Sequence, residues 1–170
     1  MANFVANQHN VNPLSASGFT FNIQKIPELT YFAQEVTLPS VSLPSAEIQT
    51  PLSTFYESGV NLQYSDLTVS FIVDEDMSNY LAIYKWMVGL GFPEARIQFS
   101  DFINGSNLNE VSDGNLQILS SSNNVIRSIV FYDLRPIELG GLTMVTNQSD
   151  VTYLTCDVTF NYTFFKFEGL

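Results

Sequence analysis

The sequence predicts a mainly β protein, an antiparallel β-sandwich or small barrel of about seven strands with one flanking α-helix. Three observations predict it. Short stretches of apolar–polar alternation recur between residues 19 and 167. Clusters of Gly, Pro, Asn and Ser punctuate them. Only one segment, Met77 to Leu90, carries apolar residues at helical spacing. No internal repeat points to a solenoid.

Residues 1–17 are rich in Asn, Ser and Gln and read as a flexible arm, with ordered structure expected from Gly18. Phe19, Phe21 and Ile23 alternate with polar residues, the period of a strand with one buried face, and Pro27 stops it. A second strand is expected across Tyr31 to Leu38. Pro39, Pro44 and Pro51 follow, and proline in strands is confined to edges, first positions and bulges. That stretch reads as an extended edge segment or loop lying over another surface, with Tyr56 to Ser65 as a hairpin arm or loop.

Leu67, Val69, Phe71 and Val73 give the cleanest strand, which runs into Asp74-Glu75-Asp76. An acidic cluster suits a helix amino terminus, where unpaired N–H groups and the dipole favour negative charge. In the helix that follows, Met77, Leu81, Tyr84 and Val88 form one stripe and Ile83, Trp86 and Leu90 a second, so burial on two sides is expected. Gly89, Gly91 and Pro93 end it. Asp101 to Gly114 reads as loop, and Asn115 to Leu119 with Val125 to Leu134 as a hairpin turning at Ser120 to Asn124. Arg135-Pro136 is expected to break this run and Gly140-Gly141 to turn the chain. In the last strand region, Val151 to Phe167, the apolar set Leu154, Cys156, Val158, Phe160 and Tyr162 passes to Phe165 and Phe167, a phase shift that marks a bulge or bend.

Composition excludes several functions. The 170 residues carry 17 acidic and 6 basic side chains, a net charge of -11, and the basic groups are scattered singly. No stripe exists that could neutralise a run of phosphates, so duplex binding is excluded. With 14% aromatic residues the chain has ample apolar surface to fold. One cysteine, Cys156, and one histidine, His9, leave neither a disulfide nor a His/Cys metal cluster. No apolar run approaches the roughly 18 residues that span a bilayer. The first ten residues lack the basic and apolar regions of a secretory signal, so assembly in a cytoplasm is expected.

Motifs for catalysis are weak. Asp74, Asp76 and Ser78 start like a calcium loop, but Asn79 and Lys85 stand where a glycine and a glutamate are needed, which leaves helix capping. A Ser-His-Asp triad would have to use His9, and no G-x-S-x-G elbow occurs. Cys156, at an inward strand position, reads as a buried structural thiol and Trp86 as core. The sequence therefore predicts no enzyme, no cofactor and no metal site, and favours a structural or interaction protein.

Two blocks carry a family likeness. Leu62 to Met87 joins an aspartate-led strand to an acid-capped helix ending near Trp86, and Val130 to Phe167 runs from an aromatic strand through Leu134-Arg135-Pro136 and a Gly-Gly link to a strand closing on Phe160-Asn161-Tyr162. With Phe19-Thr20-Phe21 and Val36-Thr37-Leu38-Pro39, this order resembles the tail tube protein family of contractile-tailed bacteriophages, over residues 18–168. The inner tubes of type VI secretion systems and pyocins are similar. The resemblance implies a single tail-tube-like β domain over residues 18–170. It implies a hexameric ring, stacked into a DNA conduit inside a sheath, with sheath and baseplate proteins as partners in the virion. A tube-like baseplate hub or initiator, or a neck component, is the alternative; a carbohydrate-binding β-sandwich module is a second. On this reading Pro39, Pro44, Pro51 and Tyr56, and Ser122 and Asn123, belong to inter-subunit segments. An acidic lumen lets DNA pass without binding, and Glu47, Glu57, Asp66, Asp157 and Glu168 are the candidates to face it.

Overall fold

A computed structural model of the chain describes residues 14, 17–91, 93, 110–146 and 153–168. Most of the expected leader and the Asn104-Gly105 turn lie outside them. The described elements are β1 (Phe19–Ile23), α1 (Leu29–Phe32), β2 (Ala33–Thr37), β3 (Val41–Ser42), β4 (Ser45–Gln49), β5 (Thr54–Ser58), β6 (Gln63–Tyr64), β7 (Leu67–Ile72), α2 (Ser78–Gly91), β8 (Ser112–Leu119), β9 (Val125–Leu139), β10 (Thr155–Asn161) and β11 (Phe164–Phe167). Seven strands join one antiparallel sheet in the order β1-β8-β9-β10-β7-β2, with β11 on β9.

The long strand β9 serves two half-sheets. Its first part pairs with β8 on one side and β11 on the other; its last residues, Arg135 to Leu139, pair with β10. One half is thus β1-β8-β9-β11 and the other β9-β10-β7-β2, and β9 must turn between them. Asp133 makes the turn with φ 59, a left-handed conformation that Asp tolerates better than most residues, and its N–H donates to Asp113 Oδ1 at 3.3 Å. Gly114 sits beside this corner because any Cβ there would come 2.3 Å from Leu134 Cδ1. The closing strand changes halves at the same place: β10 ends at Asn161, and Thr163 N–H donates to Tyr132 O at 3.0 Å as β11 begins.

One core fills the space between the halves. Phe21, Ile129 and Phe131 come from the first half, Val69, Phe71, Val158 and Phe160 from the second, and Ile83 from α2, all with no exposed surface. Trp86 closes one side, 6.3 Å from Phe160, with its Nε1 donating to Glu110 O at 3.1 Å.

Four expectations need correction. The strand expected from Tyr31 begins only at Ala33, because Leu29 to Phe32 form a helical turn whose Leu29, with Ile26, is buried. Three-residue spacing of Ile26 and Leu29 plugs the crossing from β1 to β2. Arg135-Pro136 does not break β9, since the register with β10 shifts between Thr159 and Phe160, leaving Ile137 as an extra residue beside Pro136. A bulge is where a strand accepts a proline that lacks an N–H. The stretch from Pro39 to Pro51 is neither an edge strand of the main sheet nor a loop; it forms part of a hairpin arm made of two short ribbons. Finally, α2 buries one stripe, Asn79, Ile83, Trp86 and Gly89, while Leu81 and Tyr84 remain 42% and 51% exposed.

Asn79 locks the turn from β7 into α2. Its Nδ2 donates to Ile72 O at 2.8 Å, and its Oδ1 accepts from the N–H groups of Asp74 and Tyr80 at 3.2 and 2.8 Å. Asp74 adds contacts from Glu75 N–H and Ser78 Oγ. Replacing Asn79 by Leu strands three backbone groups in a fully buried site, and is expected to lower unfolding free energy by about 2 kcal/mol in urea titrations.

Candidate assembly surfaces

The arm is built on a clamp between two serines. Ser65 N–H donates to Ser40 O at 3.1 Å and Ser40 N–H to Ser65 Oγ at 2.8 Å. Beyond the clamp come the two-residue ribbon β3–β6 and the five-residue ribbon β4–β5, each of which pairs only with itself. Between them, Gly59 passes so close to Pro44 that a Cβ would lie 1.8 Å from the proline carbonyl oxygen. Thr50 N–H donates to Ser53 O at 3.0 Å across the tip, which carries Pro51 and a 99% exposed Leu52. The expected inter-subunit residues fall along this one arm: Pro39 is buried at its root, Pro44 lies in its joint, Pro51 at its tip and Tyr56 on β5. Ser122 and Asn123 lie elsewhere, in the exposed β8–β9 turn, where Asn123 adopts φ 57.

Aromatic packing fixes the root to the body. Tyr64 meets Phe165 edge-on at 5.4 Å and Tyr162 at 6.1 Å, and Phe131 and Phe167 extend the cluster. Tyr162 Oη donates to Ser65 O at 2.8 Å. Burial, then the charge of Asp66 and the neighbouring Tyr64, pushes the Tyr162 hydroxyl up to about 12, so it stays a donor.

The second surface is the outer face of the β9-β10-β7-β2 half. Strand register lays it out in rows: Glu35, Ser70 and Asp157; then Thr37, Thr68, Thr159 and Glu138; then Asp66, Asn161 and Arg135. Ser70 Oγ donates to Asp157 Oδ1, and Asn161 Nδ2 donates to Asp66 Oδ1 at 3.1 Å. The face is hydroxyl-rich and carries four carboxylates against the single cation Arg135. Asp66 and Asp157 were expected together; Glu35 and Glu138 join them through cross-strand register, which no local pattern reveals. Glu47 and Glu57 are instead on the arm, and Glu168 follows β11 on the other half, with its N–H donating to Ser128 O. That other half shows amides outward, with Ser128 Oγ bonded to Asn115 Oδ1 at 2.7 Å and a stacked Tyr132–Phe164 pair under Lys166.

Nothing here is arranged for catalysis. Cys156 is buried, its Sγ donates to Gly140 O at 3.3 Å, and burial followed by the Asp157 charge pushes its thiol up, away from the reactive thiolate. Among the described residues no cluster of His, Cys, Asp and Glu has metal-binding geometry, and no helix is long and apolar enough to cross a membrane.

No family model matches the chain. A curated relative does: the tail tube terminator protein of Enterobacteria phage T4 is 30% identical over 178 residues, covering 98% of this chain and 86% of the relative. Among solved structures, the tube-terminating cap of the anti-feeding prophage superposes with a TM-score of 0.61 at 13% identity, covering 99% of both chains. A chain of the sheath/tube terminator of an extracellular contractile injection system gives 0.61 at 15% identity, over 95% of this chain and all of its own length. A chain of the anti-feeding prophage baseplate gives 0.65 at 10% identity, over 93% and 97%. These three share the fold. The chain belongs to the family of the phage T4 tail tube terminator protein, and is a structural tail-tube-related protein, not an enzyme.

The root of the arm yields a pH test. Because the folded state holds Tyr162 neutral to about 12 while an unfolded tyrosine ionises near 10, its contribution is complete below about pH 10 and is lost as pH rises toward 12. Tyr162→Phe is expected to cost about 1 kcal/mol at pH 8 and to flatten the decline in urea midpoint between pH 10 and 11.5.

Proposed function

We propose, taking membership in the terminator family as the premise, that this chain is a virion protein forming a hexameric ring on the tail tube of a contractile phage tail. The near full-length match to a tube terminator carries this reading, and it favours the neck end of the tube over a repeating inner-tube ring. The baseplate alternative has only a shared fold at 10% identity behind it. A carbohydrate platform is disfavoured because the exposed aromatics Phe55, Tyr56, Tyr84 and Tyr153 are spread over the arm, α2 and a loop.

In this reading the rings assemble in the host cytoplasm, with tube and sheath proteins as neighbours. A ring closes through heterologous contacts, which need two different patches on each copy, and the arm supplies one. The acidic hydroxyl face supplies the lumen wall, with Glu35, Asp66, Asp157 and Glu138 inward. Carboxylates repel phosphates and release no counterions on contact, so DNA slides past without a binding step. Glu47, Glu57 and Glu168 belong to other surfaces.

The test is direct. Native mass spectrometry of purified protein is expected to show a hexamer, and rings are expected to ignore a short DNA duplex at 150 mM salt. A Glu35→Lys, Glu138→Lys, Asp157→Lys variant is expected to remain hexameric yet to bind duplex, with affinity falling steeply as salt rises. A monomeric wild type would sink the ring, and a triple variant as inert toward DNA as the parent would sink the lumen assignment.

A further inference from the structure

Two apolar surfaces have no cover among the described residues. On the arm, the pairs Ile48–Phe55 and Ala46–Glu57 share one face of the β4–β5 ribbon, and the pairs Glu47–Tyr56 and Gln49–Thr54 share the other. Ile48 and Phe55 are 48% and 59% exposed. A two-stranded ribbon is marginal in water by itself, so this one has apolar side chains that gain from a partner. On α2, Leu81, Tyr84, Lys85 and Val88 stand at positions i, i+3, i+4 and i+7, one continuous stripe opposite the buried one. Leu81, Tyr84 and Lys85 are exposed.

Charge selects the match. Between Ser40 and Ser65 the sequence has Glu47 and Glu57 and no basic residue, and Glu57 lies on the same face as Ile48 and Phe55. Only six basic residues exist in the whole chain, and Lys85 is set within the apolar stripe of α2. We propose that the Ile48–Phe55–Glu57 face of the arm seats on the Leu81–Tyr84–Lys85–Val88 stripe of a second copy, with Glu57 meeting Lys85. The inference rests on the ring reading and names its joint. Each copy then gives an arm and receives one, the head-to-tail contact from which rings close, and apolar area supplies the attraction while the ion pair sets the register.

Two experiments on the full chain separate the seat from the ring. Charge reversal at Glu57→Lys or at Lys85→Glu is expected to raise the concentration needed for half assembly roughly tenfold, and the double swap to return it to within about threefold of the parent. In the second, a Phe55→Cys chain mixed with a Tyr84→Cys chain under mild oxidation is expected to give a disulfide-linked heterodimer, whereas Phe55→Cys with the off-site Tyr153→Cys is not. Hexamers without the selective cross-link, or single reversals that assemble like the parent, overturn the seat and leave the ring standing. A selective cross-link without hexamers upholds the seat and overturns the ring. Neither cross-link nor hexamer overturns both.

Discussion

β9 belongs to both halves of the sandwich, and a strand that pairs with β8 and β11 before its middle and with β10 after it has to bend where it passes from one set to the other. The corner at Asp133 does this with a left-handed backbone, a side-chain carboxylate from Asp113 to hold its N–H, and a glycine opposite so that Leu134 can fold inward. Everything else takes its position from that corner. β8 and β11 flank the strand before it, β10 follows after it, and the break between β10 and β11 lies alongside. The bulge at Ile137 adds twist in the same stretch and allows Pro136 to point into the core without an orphaned ladder partner. Because the bend closes the two halves over one core, the outer surface of each becomes a separate chemical face, one acidic and hydroxylated, the other rich in amides.

The arm obeys different physics. Its strands β3, β4 and β5 are exposed throughout, and its order comes from the serine clamp, the Pro44–Gly59 contact and the tip turn, with the Tyr64–Tyr162–Phe165 cluster joining its root to the core. Prolines at the root, joint and tip restrict the chain before any partner arrives, which lowers the entropy lost on docking. A stiff, apolar, acidic arm on a body with a complementary stripe is a chain equipped for assembly.

How much of this was legible in the sequence depended on whether an element buries one face. β1, β7 and β10 do, and their alternation placed them and their inward residues well. β9 was cut short at Pro136 because the bulge that tolerates the proline has no local signature. The last two residues of α1, Tyr31 and Phe32, were read as the start of a strand, since a helical segment of four residues is too short to show a helical period. The arm gave no periodic signal because neither of its faces is buried; only its prolines marked it. The acidic face was half legible: Asp66 and Asp157 flank strongly alternating strands, but Glu35 and Glu138 come beside them through register, a property of pairing between distant segments. On α2 both stripes were visible, and what sequence could not tell was that Leu81 and Tyr84 of one of them would find no cover among the described residues. Family order, carried by Leu62 to Met87 and Val130 to Phe167, pointed to a tail-tube-related protein, and the 30% identity to a tail tube terminator agrees with it.

The serine clamp at the base of the arm has an evolutionary consequence. Between Ser40 and Ser65 the described contacts to the core run through the root alone, so substitutions further out leave the free energy of the body almost untouched. Such a segment can drift at little fitness cost to folding, and lineages sharing this scaffold are free to change neighbours by rewriting some two dozen residues, with the sandwich left as it was.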